Sequence, residues 1–143
     1  MKSNLVSKNN QWRLINREQV LRTTVGDVEF LAEMIELFLS YIPQQMKDIQ
    51  QAIEERNSQM LYDAAHACKG LIVNYTTLDP YHLLIMLEDD AESGQLEESL
   101  AKYDSLEKEI SQLIVELKML MIQECSNVQS SPEKISSIQR QFS

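Results

Sequence analysis

Ser58-Gln59-Met60-Leu61-Tyr62-Asp63-Ala64-Ala65-His66-Ala67-Cys68-Lys69-Gly70-Leu71-Ile72-Val73-Asn74-Tyr75 is the stretch from which the rest of the chain is best read. Leu61, Ala64, Ala65, Cys68, Ile72 and Tyr75 recur at the spacing of one face of an α-helix, and predict a helix from about Ser58 to Tyr75 or Thr77. Tyr62, His66, Lys69, Gly70 and Val73 form a second stripe, turned by about 100° from the first. His66 is therefore expected at the edge of the core rather than within it. Gly70, in mid-helix, costs about 1 kcal/mol relative to alanine, which suggests that something approaches the backbone there.

The segments on either side follow the same period. Upstream, Asn16 caps a short helix through Arg17-Glu18-Gln19-Val20-Leu21 to Thr23, and Gly26 breaks it. Asp27 caps a second helix whose apolar face is Leu31, Met34, Ile35, Phe38, Tyr41 and Ile42. That face resumes at Met46, Ile49 and Ile53, so the helix should continue past Pro43, with a kink, to a turn at Arg56-Asn57-Ser58. Downstream, Asp79 is expected as a cap with Pro80 at the first helical position, and a fourth helix runs from Tyr81 to Ser93 and ends at Gly94. Leu96, Leu100, Tyr103, Leu106, Ile110, Leu113, Leu117 and Leu120 make the seam of a long fifth helix.

The resulting expectation is an all-α fold. Four antiparallel helices form a bundle, preceded by a short N-terminal helix and followed by a flexible or partly helical tail. The domain layout is a lead at 1–15, a bundle domain at 16–124 and a tail at 125–143. Trp12, Leu14 and Ile15 could anchor the lead. The tail is rich in Ser and Gln and contains Pro132, yet Ile135, Ile138 and Phe142 leave room for a short terminal helix. Met1 followed by a polar lead suggests a freestanding protein or an artificial start, which leaves open whether the domain belongs to a larger kinase.

Composition agrees with long helices. Of 143 residues, 43% are hydrophobic but only 6% aromatic, so the core should be Leu, Ile, Met and Ala. Three glycines and three prolines are too few for an all-β fold with its many turns. The net charge of −9 argues against binding nucleic acid or an anionic membrane surface. No apolar run reaches the roughly 20 residues of a membrane helix. With no signal-peptide core and no disulfide framework around Cys68 and Cys125, a reducing cytoplasmic setting is expected.

The second stripe carries the chemistry. Lys69 and Gly70 lie three and four residues beyond His66, hence one turn away on the same face. An imidazole nitrogen, a fixed positive charge and a missing side chain suit a histidine that receives a phosphoryl group. The nitrogen attacks, the ammonium offsets incoming charge, and the glycine leaves room. Cys68 falls on the core stripe and reads as structural, not nucleophilic. His82 lacks any such context and reads as a helix-surface residue. No metal-ligand spacing joins it to His66, Asp79 or Glu88, so no metal is expected.

Residues 16–120 resemble the histidine-containing phosphotransfer domain of bacterial multistep phosphorelays. The resemblance is carried by Ala65-His66 with Lys69-Gly70, by Phe30–Leu39 with Pro43 upstream, and by Leu87-Glu88 before Ala91 and Gly94 downstream. It implies a non-enzymatic carrier. His66 would accept a phosphoryl group, through Nε2, from the aspartate of a receiver domain and pass it to another receiver. Lys69 would stabilise the phosphoryl oxygens, Gly70 would give access, and Glu88 would hold Nδ1–H. Tyr62, Lys69 and Val73 would meet the partner. Magnesium would belong to the receiver, leaving this chain without a cofactor. Response-regulator receivers and a hybrid sensor histidine kinase are the implied partners of a monomeric chain. The sequence departs from the family pattern at Thr76, where a second glycine is usual, and in the bulky Leu71-Ile72-Val73. These departures motivate a different reading, a helical adaptor or inhibitor of a kinase or receiver that works without phosphorylation. The seam of the fifth helix leaves a dimer open as well.

Overall fold

A computed structural model describes residues 12–127 of the chain, with side chains through Glu124. Expectations for residues 1–11 and 128–143 lie outside the described residues. Five helices follow in order: α1 Arg17–Thr23, α2 Val28–Glu54, α3 Ser58–Ile72, α4 Asp79–Ser93 and α5 Ser99–Asn127. The fold is all-α, as expected. α3 packs between α2 and α4, and α5 packs between α4 and α2, which closes the four long helices into a ring around one core.

Local chemistry sets most boundaries. Asn16 Oδ1 accepts from the Gln19 amide at 3.1 Å and starts α1. Asp27 Oδ1 accepts from Glu29 and Phe30, and Asn57 Oδ1 from Met60, so α2 and α3 each begin on a side chain that satisfies an orphan amide. Val25 and Gly26 both take positive φ, 48° and 73°, and turn the chain from α1 into α2. α2 runs unbroken through Pro43, which lies on the exposed side of the helix. There the carbonyl that proline leaves unbonded can turn to water. Gly94, at φ 74°, closes α4 in the left-handed conformation.

Four expectations need correction. Tyr41, read as part of the apolar face of α2, is exposed. α3 stops at Ile72, not at Tyr75 or Thr77. Tyr75 leaves the helix to meet three tertiary partners. Its ring packs edge-on against Phe38 at 5.2 Å, its hydroxyl donates to the Met34 carbonyl at 3.0 Å, and its own carbonyl accepts from the Asn16 amide at 3.0 Å. Asp79 is the first residue of α4 rather than its cap, and Pro80 is the second. The cap residue is Leu78, whose amide is taken by Thr76 Oγ1 at 3.1 Å. Leu100 is exposed instead of buried in the α5 seam. α5 begins at Ser99, which is buried and donates to Asp90 Oδ2, so Ser99 holds the seam position one turn before Tyr103.

The seam otherwise runs as read, through Tyr103, Leu106, Ile110, Leu113, Leu117 and Leu120. Leu14 and Ile15 are buried against the bundle. Their amides both donate to Oε1 of Glu116, at 3.0 Å each, while Gln112 donates to Oε2 at 2.8 Å. Glu116 is wholly buried. Arg17 adds an ion pair to Glu124 at 2.6 Å, so the segment before α1 is fastened along α5.

Candidate functional site

His66 lies midway along α3, five residues after Leu61 and two before Cys68, both of which are buried in the core. Because the helix is anchored by that stripe, its neighbouring stripe is held at the rim between α3 and α4. The imidazole is 61% exposed. Its Nδ1 lies 2.8 Å from Glu88 Oε2, across from the adjacent helix. The other carboxylate oxygen of Glu88 accepts from Lys69 Nζ, also at 2.8 Å. Glu88 thus bridges an exposed ring and a half-buried lysine, while its own side chain is only 9% exposed.

Each contact has a chemical consequence. An ionised carboxylate can only accept, so Nδ1 must carry the proton in this hydrogen bond. The second nitrogen, Nε2, is then left with its lone pair available. The ammonium of Lys69 balances the carboxylate, which would otherwise be an unpaired buried charge. The hydrogen bond to Glu88 holds the Lys69 ammonium above its ordinary lysine range, so the lysine is charged throughout the neutral region. Tyr62, one turn before His66, lays its ring parallel to the imidazole, with centroids 5.7 Å apart and planes 9° apart. Lys69 Nζ also stands 5.9 Å from the centre of the Tyr81 ring. The ring is therefore located on one face by Tyr62 and at one edge by Glu88.

Gly70 is exposed on α3, and a β-carbon built there would meet no atom within 4 Å. Among the described residues nothing requires a glycine at this position. Val73 is half-buried where α3 ends, its amide donating to the Lys69 carbonyl. Thr76, the departure from the family glycine, is buried in the turn to α4. Cys68 is fully buried, and burial pushes its thiol up to about 12, away from the thiolate a nucleophile needs. His82 is exposed on α4, 6.5 Å from Tyr81 ring to ring.

The sequence names His66, Lys69, Gly70 and Glu88, and the fold brings Glu88 into direct contact with both His66 and Lys69. The sequence did not anticipate that Glu88 would grip Lys69 as well as His66, or that Tyr81 would lie beside the ammonium. The only sequence signal for either is the spacing of Tyr81 and Glu88, two turns apart on one side of α4.

With this geometry in hand, the chain can be set beside known proteins. The crystal structure of histidine-containing phosphotransfer protein B (HptB) from Pseudomonas aeruginosa PAO1 superposes with a TM-score of 0.68 over 77% of this chain and 95% of that one, at 20% identity. The fold is that of a histidine-containing phosphotransfer protein. No family model matches the sequence, and no curated protein matches it either. At such low identity the likeness speaks for the bundle, and the site stands on its own contacts. Among the described residues no helix is long and apolar enough to cross a membrane.

Proposed function

We propose that this chain is a phosphorelay carrier that takes a phosphoryl group on His66 from a receiver-domain aspartate and hands it to a second receiver. The observation that carries the reading is the bridge of Glu88 between His66 Nδ1 and Lys69 Nζ beneath an otherwise open imidazole. Nε2 attacks the phosphorus of the aspartyl phosphate. The nitrogen–phosphorus bond forms as the bond from phosphorus to the carboxylate oxygen breaks, and the aspartate leaves as a free carboxylate. The ring gains positive charge, which Glu88 stabilises through Nδ1–H. The reverse sequence delivers the group onward.

Positioning and charge balance are the chain's contributions. Magnesium and the remaining electrostatic stabilisation come from the receiver, so the chain acts as a carrier rather than an enzyme. Lys69 exchanges its contact with Glu88 for the incoming phosphoryl oxygens. Tyr62 stacks on His66 and Lys69 lies one turn beyond it; with Val73 they form the partner-facing surface, and Gly70 gives the backbone clearance. Receivers, one of which can belong to a hybrid sensor kinase, are the partners, and the cytoplasm is the setting.

The test is incubation with phosphorylated receivers. The expected product is acid-labile, base-stable label on the native chain and none on His66→Gln. Label that persists in His66→Gln would refute the assignment. A receiver or kinase that binds native chain and His66→Ala equally, with no transfer, would favour the adaptor reading.

A further inference from the structure

Tyr62 and Gly70 flank His66 on one stripe of α3, four residues before it and four after. Side chains on a helix lean toward its N-terminus, so the imidazole lies back over the turn that carries Tyr62. The two rings are 5.7 Å apart, centre to centre, and only 9° from parallel. The glycine side is open, since a β-carbon there would meet no atom within 4 Å. One face of the imidazole is thus backed by an aromatic ring, while the imidazole as a whole remains 61% exposed.

Tyr62 is half-buried and packs against the core cluster, a demand that an aliphatic side chain of similar size would also meet. What an aromatic adds is a face of negative potential. The imidazole that attacks phosphorus is neutral. Once Nε2 is bonded to phosphorus while Nδ1 keeps its proton, the ring is a cation. We propose that Tyr62 is a stabilising residue for the phosphorylated form: its ring face holds the imidazole and attracts the positive charge that the imidazole gains with the phosphoryl group. This role rests on His66 being the carrier.

Orientation, charge and distance favour this role over a contact with the partner alone. Glu88 grips the imidazole at one edge, at 2.8 Å, but rotation of a ring about its Cβ–Cγ bond is soft, so a single hydrogen bond leaves it free to tilt. A parallel neighbour removes that freedom. When Lys69 gives up Glu88 for the phosphoryl oxygens, the cationic imidazole keeps a carboxylate at its edge and the tyrosine at its face. The centre-to-centre distance of 5.7 Å lies within the roughly 6 Å over which an aromatic face attracts a cation. At a site this exposed, the attraction favours the phosphorylated form by about two- to fivefold. It strengthens the carrier's hold on the group and slows its loss to water. In that loss the oxygen of water bonds to phosphorus, the nitrogen–phosphorus bond breaks, inorganic phosphate keeps both protons of the water, and the imidazole leaves neutral. The ring contact that the cation enjoyed is then given up.

The lifetime of the phosphoryl group on the full chain tests the proposal without any receiver. Every chain compared carries His82→Gln, so that phosphoramidate, a small donor, loads His66 alone. After the donor is removed, loss of the group at neutral pH is followed by intact-mass spectrometry. Tyr62→Leu and Tyr62→Met should lose it about two- to fivefold faster than the chain with Tyr62, and Tyr62→Phe at nearly the same rate as that chain. Before loading, the carbon-bound protons of the His66 ring should keep their NMR shifts in Tyr62→Phe and move in Tyr62→Leu, with thermal melting as the check on the fold. Equal lifetimes with Tyr, Leu and Met would overturn the proposal and leave the carrier reading intact, as would loss from Tyr62→Phe as fast as from Tyr62→Leu. Slower transfer from a phosphorylated receiver to Tyr62→Leu, with an unchanged lifetime, would make Tyr62 a partner contact only and overturn it too. A chain with Tyr62 that phosphoramidate leaves unlabelled at His66 would overturn the carrier reading, and this proposal with it.

Discussion

Gly70→Ala separates what the bundle needs from what a phosphotransfer partner needs. In a helix interior, alanine is favoured over glycine by about 1 kcal/mol, mainly through backbone entropy. That gain is normally forfeited when the new methyl group collides with a neighbour. Here the β-carbon would meet nothing within 4 Å, so the full gain should appear as stability. For a domain of this size the melting temperature should rise by about 3–5 °C. The same methyl group would stand on the exposed stripe, one turn from His66, where the proposed receiver must come close. A displacement of about 1 Å between reacting groups can lower the rate of transfer by about 100-fold. The expected outcome is a variant that melts higher and transfers more slowly, with loss concentrated in transfer from receivers. Thermal and urea denaturation give the first quantity, and time courses with a phosphorylated receiver give the second. A variant that is more stable and transfers at the native rate would refute the argument that clearance for a partner is why a glycine stands here.

The remaining predictions follow from contacts in the fold. Glu88→Gln should loosen control of the imidazole, since a hydrogen bond to a charged group contributes about 1.5–3 kcal/mol and an amide cannot accept from both His66 and Lys69 in the same way. Nitrogen NMR should then find a larger population with the proton on Nε2, and phosphoryl transfer should slow in proportion. An unchanged tautomer ratio would count against the role given to Glu88. Glu116→Ala leaves the buried amides of Leu14 and Ile15 without an acceptor and should cost about 2–5 kcal/mol in urea unfolding, whereas Glu116→Gln, which keeps one carbonyl oxygen, should cost about 1 kcal/mol. Equal losses for the two would show that the carboxylate is not what fastens the lead. Val25 holds a left-handed φ of 48° with an exposed β-branched side chain. Val25→Asn should stabilise the fold by about 1 kcal/mol, because asparagine tolerates that conformation and little packing is lost; a lower unfolding midpoint would contradict this.

Much of this protein could be read directly from residue order. The caps at Asn16 and Asp27, the glycine stop at Gly94, the period of the buried rows and the His66–Lys69–Gly70 patch all depend on residues within about one helical turn of each other, and their energetics are settled locally. Other features were decided only when the helices packed. Tyr75 left α3 because partners 41 and 59 positions earlier in the chain, Met34 and Asn16, competed with the helix for its hydroxyl and carbonyl. Glu116 looks like one more acid in a charged helix until the fold lays the Leu14 and Ile15 amides against it from 102 and 101 residues away. Glu88 gained its double contact because the docking of α4 on α3 buried its carboxylate between an imidazole and an ammonium. Burial raises the cost of leaving a polar group unpaired, and sequence spacing within one helix carries no record of which distant group will answer it.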